Sequence, residues 1–220
     1  MYKYLENRKY EVLLTALILH LYIGIFLSNL LLYIKVIWPI NMVILGIASL
    51  GIYLGKGRSR TQIKNVLLLL VIALPISIPF FSGWNYFMPI LSFIYCLFFG
   101  YIFIDIFKFL VKPGYINTDI ISASICGFFL IIEMAVFLLQ GFYYLNSDTF
   151  TQINETNPAT VFMDLVYFST ITVTTVGFGD ISPDTYSVKL IVSVLTVISH
   201  FYTVVLIGIL ISKFSSNQNK

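Results

Sequence analysis

Long apolar runs, almost free of charged residues, constrain the fold of this chain more than any other feature. A helix that crosses the hydrocarbon core of a bilayer takes about 20 mostly apolar residues. Six runs reach or approach that length: Val12–Tyr33, Ile37–Leu54, Val66–Ser82, Tyr86–Phe107, Ile120–Tyr143 and Val188–Ile211. They are continuously apolar and do not alternate between apolar and polar residues, which argues against membrane barrel strands. The sequence therefore predicts an all-α integral membrane protein with six transmembrane helices.

The composition supports this class and excludes several others. Of the 220 residues, 59% are hydrophobic and 10% are charged, whereas soluble domains carry about 25% charged residues. A net charge of +3 is too small to predict nucleic-acid binding. Cys96 and Cys126 both lie inside apolar runs, so neither a disulfide framework nor a cysteine metal site is expected. The apolar runs hold no paired carboxylates and no histidine cluster, so no enzymatic activity is predicted.

Basic residues predict the orientation, because lysine and arginine are enriched in cytoplasmic loops. With six spans and both termini in the cytoplasm, only Lys35 and Lys189 fall outside. The other eleven fall inside: Lys3, Arg8, Lys9, Lys56, Arg58, Arg60, Lys64, Lys108, Lys112, Lys213 and Lys220. Trp38, Trp84 and Tyr86 lie near span ends, where aromatic side chains anchor helices at the membrane interface. We therefore expect a multi-pass protein of the cell membrane.

Residues 146–186, between the last two runs, are too polar to cross a membrane but carry the most specific pattern in the chain. Asn157 followed by Pro158 predicts a helix N-cap with proline at the first helical position. The helix is expected to run to about Val173. The string Thr-Thr-Val-Gly-Phe-Gly-Asp then follows at residues 174–180. This string resembles the selectivity filter of potassium channels, in which carbonyl oxygens of TVGYG loops replace the hydration shell of the ion.

The resemblance covers residues 119–213 and implies a pore domain made of an outer helix, a re-entrant pore helix, the filter and an inner helix. It implies K+ ions bound at Thr175, Val176, Gly177 and Phe178, with Gly179 completing the filter. Gly177 and Gly179 permit the backbone dihedral angles that other residues avoid. One loop cannot surround an ion, so a homotetramer is expected. The flanking segments are expected to be a four-helix transmembrane domain (1–107), a linker (108–118) and a short cytoplasmic tail (214–220).

The residues around the filter are interpreted from their positions in the family pattern. Tyr167 is expected to donate a hydrogen bond to Asp180. Phe178 and Phe168 stand where tyrosine and tryptophan are usual, so apolar packing is expected there. Val176 and Phe178 are expected to point away from the ion path and to pack against the pore helix. The predicted filter support is thus Thr174, Asp180, Tyr167 and Phe168.

The fourth run lacks the charges that a voltage sensor needs. Tyr86–Phe107 contains no arginine or lysine, and its only charged residue is Asp105. By layout the first four helices resemble a voltage-sensor domain, but one without gating charges. Glu133, in mid-run, is either a functional group or a side chain that stabilises the outer helix against the pore helix, and His20 is expected to pack. The candidates for gating by another stimulus are Ser199, His200, Gly208 and Glu133.

The predicted function is passive, potassium-selective conduction that is not conventionally voltage-gated. The expected cofactors are the K+ ions of the filter, without an organic cofactor. The expected partners are other copies of the chain and membrane lipids, without nucleic acid. Two alternatives stay open. One is a weakly selective cation channel whose phenylalanine-bearing filter is looser, and the other is a non-conducting regulatory or sensor subunit of the membrane.

Overall fold

The computed structural model describes residues 8–26, 32–53, 84–113 and 115–218, with positions 62, 65, 66, 69–71, 73, 74, 77 and 81. Most of these residues are helical. The α-helices are α1 (Lys9–Tyr22), α2 (Trp38–Tyr53), α3 (Phe87–Val111), α4 (Thr118–Leu145), α5 (Pro158–Val173) and α6 (Tyr186–Gln218). A 3-10 segment, Ile23–Phe26, follows α1, a π-helical segment, Tyr33–Ile37, precedes α2, and a 3-10 turn, Ser147–Thr149, follows α4. Two short strands, β1 (Phe150–Thr151) and β2 (Ser182–Pro183), pair in antiparallel orientation.

Four helices are long and apolar enough to cross a membrane: Lys9–Phe26, Phe87–Val111, Thr118–Leu145 and Tyr186–Ser215. Shorter apolar helices cover Lys35–Ser49 and Pro158–Val173. The chain is therefore an all-α membrane protein with four candidate spans among the described residues. Six spans remain a prediction, because most of the third predicted run lies outside the described residues. The basic residues that also lie outside them are Lys3, Lys56, Arg58, Arg60, Lys64 and Lys220.

The boundary between the first two predicted spans is wrong. The sequence placed Tyr33 at the end of the first run and began the second at Ile37. In the structure the described part of the first helix ends at Phe26, residues 27–31 lie outside the described residues, and Tyr33 belongs to the helical segment that leads into α2. Apolar residues lie on both sides of this boundary, and no charged residue stands between Glu11 and Lys35. Hydropathy therefore could not locate the change of helix.

The helix α3 also extends beyond its predicted end at Phe107 and reaches Val111, so the predicted linker shortens. Lys112 has an extended backbone, with φ −62° and ψ 141°. The next residue is Pro113, and a proline disfavours helical geometry at the residue before it. The helix therefore ends one residue before Lys112, and α4 begins at Thr118, where the Asn117 side chain accepts a hydrogen bond from the amide of Ile120.

The helix α4 lies at the centre of the fold, and its most apolar 18-residue stretch is 72% buried. On one side, Phe137 stacks on Phe99 of α3, with ring centroids 5.6 Å apart. On another side, the Cys126 thiol donates to the Tyr10 carbonyl of α1, and the Tyr10 ring stacks on Phe109 of α3 at 4.9 Å. The N-terminal helices of the chain therefore pack on α4 of the same chain.

The helix α6 is the most exposed span, since only 11% of its most apolar stretch is buried. It runs to Gln218, so residues 214–218 of the predicted tail are helical. Tyr202 fixes it to α4, because its hydroxyl donates to the Ser124 carbonyl at 2.9 Å. Lys213 donates to the Lys112 carbonyl, so these two basic residues lie at the same end of the molecule.

Gly127 should be irreplaceable at the contact between α4 and α6. A Cβ added there would overlap the Tyr202 hydroxyl oxygen. We expect Gly127→Ala to displace the ring, break its hydrogen bond and lower the free energy of unfolding by about 1–3 kcal/mol. Denaturant unfolding of the purified protein in detergent measures the loss. Gly100→Ala is the control, since its Cβ would meet Met134 at an ordinary 3.7 Å, and equal stability of the two variants would contradict the prediction.

Candidate functional site

The helix α5 begins as the sequence predicts. The Asn157 side chain accepts hydrogen bonds from the amides of Ala159 and Thr160 at 2.9 and 3.1 Å. The Thr160 hydroxyl accepts in return from the Asn157 amide at 3.3 Å. Pro158 occupies the first helical position, where its missing N–H costs nothing. The N-cap and the predicted end at Val173 are therefore both confirmed.

The backbone after α5 folds back onto the last turn of that helix. The amide of Thr175 donates to the Thr172 carbonyl at 3.0 Å. The amides of Val176 and Gly177 both donate to the Ile171 carbonyl, at 2.8 and 3.1 Å. In a trans peptide unit the carbonyl of one residue points opposite to the amide of the next. The carbonyl groups of Thr175 and Val176 are therefore directed away from α5.

Left-handed backbone recurs at every second residue of this segment. The φ angles are +63° at Thr175, +54° at Gly177 and +81° at Gly179. Glycine adopts such angles without a Cβ penalty, which confirms the reason for which the two glycines were singled out. Threonine does so at a cost. Where left-handed and right-handed residues alternate, successive amides face one side and successive carbonyls face the other.

Tyr167, in the middle of α5, binds Asp180, the last residue of the 174–180 segment. Its hydroxyl donates to the Asp180 carboxylate at 2.6 Å, as the sequence predicts. This hydrogen bond is the main reason that the pKa of Asp180 lies below its usual value. Asp184, nearby, forms an exposed ion pair with Lys189 at 3.6 Å. The segment that begins at the end of α5 is thus fixed at both ends.

A small β-bridge, which the sequence did not reveal, lies beside the segment. The Thr151 and Ser182 hydroxyls lie 2.9 Å apart, and Phe150 packs edge-on against Phe168, with ring centroids 5.4 Å apart. Phe168 is therefore buried under β1. Its surface is not available to Phe178, which is 71% exposed.

Within the single chain Val176 and Phe178 are largely uncovered, and their expected packing against a pore helix stays a prediction. Val176 is 54% exposed, and Phe178 is more exposed still. The amides of the segment face α5, so the last turn of that helix is occupied by backbone contacts. The apolar side chains consequently project to the flank of the segment, where this chain leaves them uncovered.

Three of the predicted gating residues, Ser199, His200 and Gly208, lie on α6, and His200 lies near the 174–180 segment. His200 is exposed and lines a cavity of about 300 Å³ together with Thr174 and Thr175. Ser199 is fully buried, and its hydroxyl donates to the backbone one turn earlier while α6 continues without a break. Gly208 lies towards the other end of α6, with open space where a Cβ would stand.

Glu133, the fourth predicted gating residue, pairs with His20. Its Oε1 lies 2.8 Å from the His20 Nδ1, and neither side chain is exposed. The rings of Phe137 and Phe162 lie 6.0 and 5.4 Å from the imidazole. Glu133 thus pairs with α1. One interpretation of the sequence had expected it to stabilise α4 against the pore helix instead. The signal in the sequence was that two lone ionisable residues stand in mid-run, where each needs a partner.

Residues 125–216, which include most of α4, all of α5, the 174–180 segment and nearly all of α6, match a family model described as an ion channel. The match covers less than half of the chain. It supports ion channel activity. Neither the curated proteins nor the solved structures contain a match to the chain.

Removal of one partner of the His20–Glu133 pair should cost more than removal of both. His20→Leu or Glu133→Leu leaves a buried polar group unpaired, for which we expect a loss of about 3–5 kcal/mol. The double variant should lose less than either single variant, and Glu133→Gln, which keeps the acceptor oxygen, should be the mildest. Unfolding free energies of the four variants in detergent give the coupling. Additive losses would show that the pair is not a unit.

The hydrogen bond from Tyr167 should make stability depend on pH through Asp180. A carboxyl whose pKa is lowered by folding contributes stability above its ordinary pKa of about 3.9, and the contribution is lost as the pH falls. We expect Tyr167→Phe to melt below the wild type at pH 7, and the gap to narrow as the pH falls below about 4. Melting curves in detergent at several pH values test this. Tyr186→Phe, at an exposed tyrosine, is the control, and a constant gap would contradict the prediction.

Proposed function

We propose that this chain is one subunit of a homotetrameric, potassium-selective channel in which residues 175–179 of four copies surround a central ion path. The alternating left-handed backbone at Thr175, Gly177 and Gly179, with its amides turned towards α5, carries this proposal. Such a backbone leaves its carbonyls on the opposite side, where they can replace the hydration shell of a K+ ion. One chain supplies one oxygen at each level, so a ring of oxygens requires several copies.

The exposure of apolar side chains supports assembly with other copies. Val176 and Phe178 lie uncovered beside the ion-binding backbone. The helix α6 exposes a long series of apolar residues: Leu190, Val194, Val197, Ile198, Phe201 and Val204. Exposed apolar surface of this extent marks contact with lipid or with another protein. In the proposed tetramer, neighbouring copies cover the flank of residues 176 and 178 and part of α6.

Electrostatics supports passage of a cation. The helix α5 ends at the segment, and the C-terminal end of a helix carries partial negative charge. Asp180 lies at the other end, and its lowered pKa keeps it ionised at neutral pH. Four copies of Asp180 would raise the local cation concentration at the mouth of the path.

Conventional voltage gating is not part of this proposal. The helix α3, where a sensor would lie, carries only Asp105 and, near its end, Lys108 as charged residues. Gating by Glu133, Ser199, His200 or Gly208 remains a prediction. In the proposed orientation both termini lie in the cytoplasm, and the channel acts in the cell membrane as a non-enzymatic path for ions.

Substitution at the filter glycines should abolish selective conduction. Gly177→Asp or Gly179→Asp places a charged side chain at a left-handed position that glycine adopts without a Cβ penalty, and the negative charge disturbs the ion path. We expect loss of barium-sensitive rubidium uptake into liposomes and loss of potassium-over-sodium selectivity in reversal potentials. Gly100→Ala is the control for protein insertion and folding.

The same measurements on the wild type distinguish the other candidates. Rubidium uptake that sodium inhibits as strongly as potassium does indicates a weakly selective cation channel. Absence of uptake from folded, inserted protein indicates a non-conducting subunit. Unchanged potassium-over-sodium permeability in either aspartate variant would overturn the filter assignment.

A further inference from the structure

A cavity of about 510 Å³ lies between α2, α3, α4 and the beginning of α5. Its wall includes the side chains of Trp38, Gln140 and Phe162, and among the described residues none that lines it is charged. It adjoins the C-terminal end of α4 and the N-terminal end of α5, and it does not include any residue of the 174–180 segment. This volume falls within the range of small-molecule sites in proteins.

Three polar side chains of the wall have a buried atom without a hydrogen-bond partner in the described part of the chain. Trp38 is 6% exposed and its indole Nε1 has no acceptor. Gln140 is 1% exposed and its Oε1 has no donor, and the hydroxyl of Tyr144, one turn further along α4, is the third such group. A buried donor or acceptor without a partner costs about 1–3 kcal/mol, so such groups are rare unless a ligand or water satisfies them. One donor, one acceptor and one hydroxyl thus stand unsatisfied on an otherwise mainly apolar wall.

The rim of the cavity carries exposed aromatic side chains. Trp84, Tyr86 and Leu145 line it and are 53%, 61% and 52% exposed. Tryptophan and tyrosine concentrate at the depth of the lipid headgroups, where an apolar body and a polar tip are both satisfied. We therefore expect the cavity to open at the depth where lipids carry their glycerol and ester groups.

We propose that this cavity binds the uncharged glycerol-ester part of a neutral lipid, of the diacylglycerol class. The Trp38 indole N–H donates to an ester carbonyl, and Gln140 Oε1 accepts from the glycerol hydroxyl. The acyl chain lies against the apolar wall that includes Phe162. A charged headgroup is disfavoured inside, because the described lining offers no side chain that compensates its charge. Water alone fits poorly, since the cavity is far larger than one water and its wall is mainly apolar.

Photolabelling of the full-length protein in phosphatidylcholine vesicles tests this site. The probe is a diacylglycerol with a diazirine in its acyl chain, and mass spectrometry locates the labelled peptides. We expect labels on α2, α4 and the start of α5, which unlabelled diacylglycerol removes. A matched phosphatidylglycerol probe should label these peptides weakly. Equal labelling by the two probes would overturn the proposed neutral-lipid specificity.

Two variants test the hydrogen bonds. Trp38→Phe and Gln140→Leu should each lower the labelling about fivefold, which corresponds to the loss of a hydrogen bond worth about 1 kcal/mol. Ser92→Ala is the control, because its hydroxyl is equally buried and unpartnered but does not line the cavity. If Trp38→Phe does not fold, Gln140→Leu alone decides. Full labelling of folded Gln140→Leu would overturn the proposal, and the ion-flux measurements do not enter this test.

Discussion

The need to satisfy backbone polar groups where water is scarce governs this structure. In hydrocarbon, non-helical backbone is tolerated only where it is buried in protein or lines a cavity. The segment after α5 meets this condition on one side only, because its amides bond to Thr172 and Ile171. The carbonyl groups of Thr175 and Val176 point to the other side, away from α5. The contact between the segment and α5 therefore determines to which side the carbonyl groups of Thr175 and Val176 point.

The same requirement, applied to side chains, joins the N-terminal part of the chain to the pore-like part. Glu133 and His20 satisfy each other, and this fixes α1 against α4 at a point where Phe162 of α5 also contacts the imidazole. Movement of α1 would have to break the pair or carry α4 with it. A chain without sensor arginines thus still has a direct contact path from its first helix to the helix that supports residues 174–180.

The parts of the site that the sequence predicted are those set by local chemistry. The N-cap at Asn157, the left-handed glycines and the bond from Tyr167 to Asp180 all lie within a few turns of one another, so residue type and spacing were sufficient. Contacts between distant residues were not predicted. His20 and Glu133 are 113 residues apart, and neither carries a pattern that names its partner. The strands β1 and β2 have two residues each, which is too short for the alternation of apolar and polar residues that predicts a strand.

The expected packing of Phe178 and Val176 is absent within the single chain, because the family pattern describes an assembly and the structure describes one chain. Phe168 is satisfied within the chain by Phe150, whereas Phe178 is not satisfied by anything close in sequence. If residues 175–179 functioned as a chance turn, the cheapest sequence would carry polar residues at such exposed positions. The chain instead combines exposed apolar side chains on the flank with glycines in the backbone. That combination fits the proposed assembly, in which a second copy covers the flank.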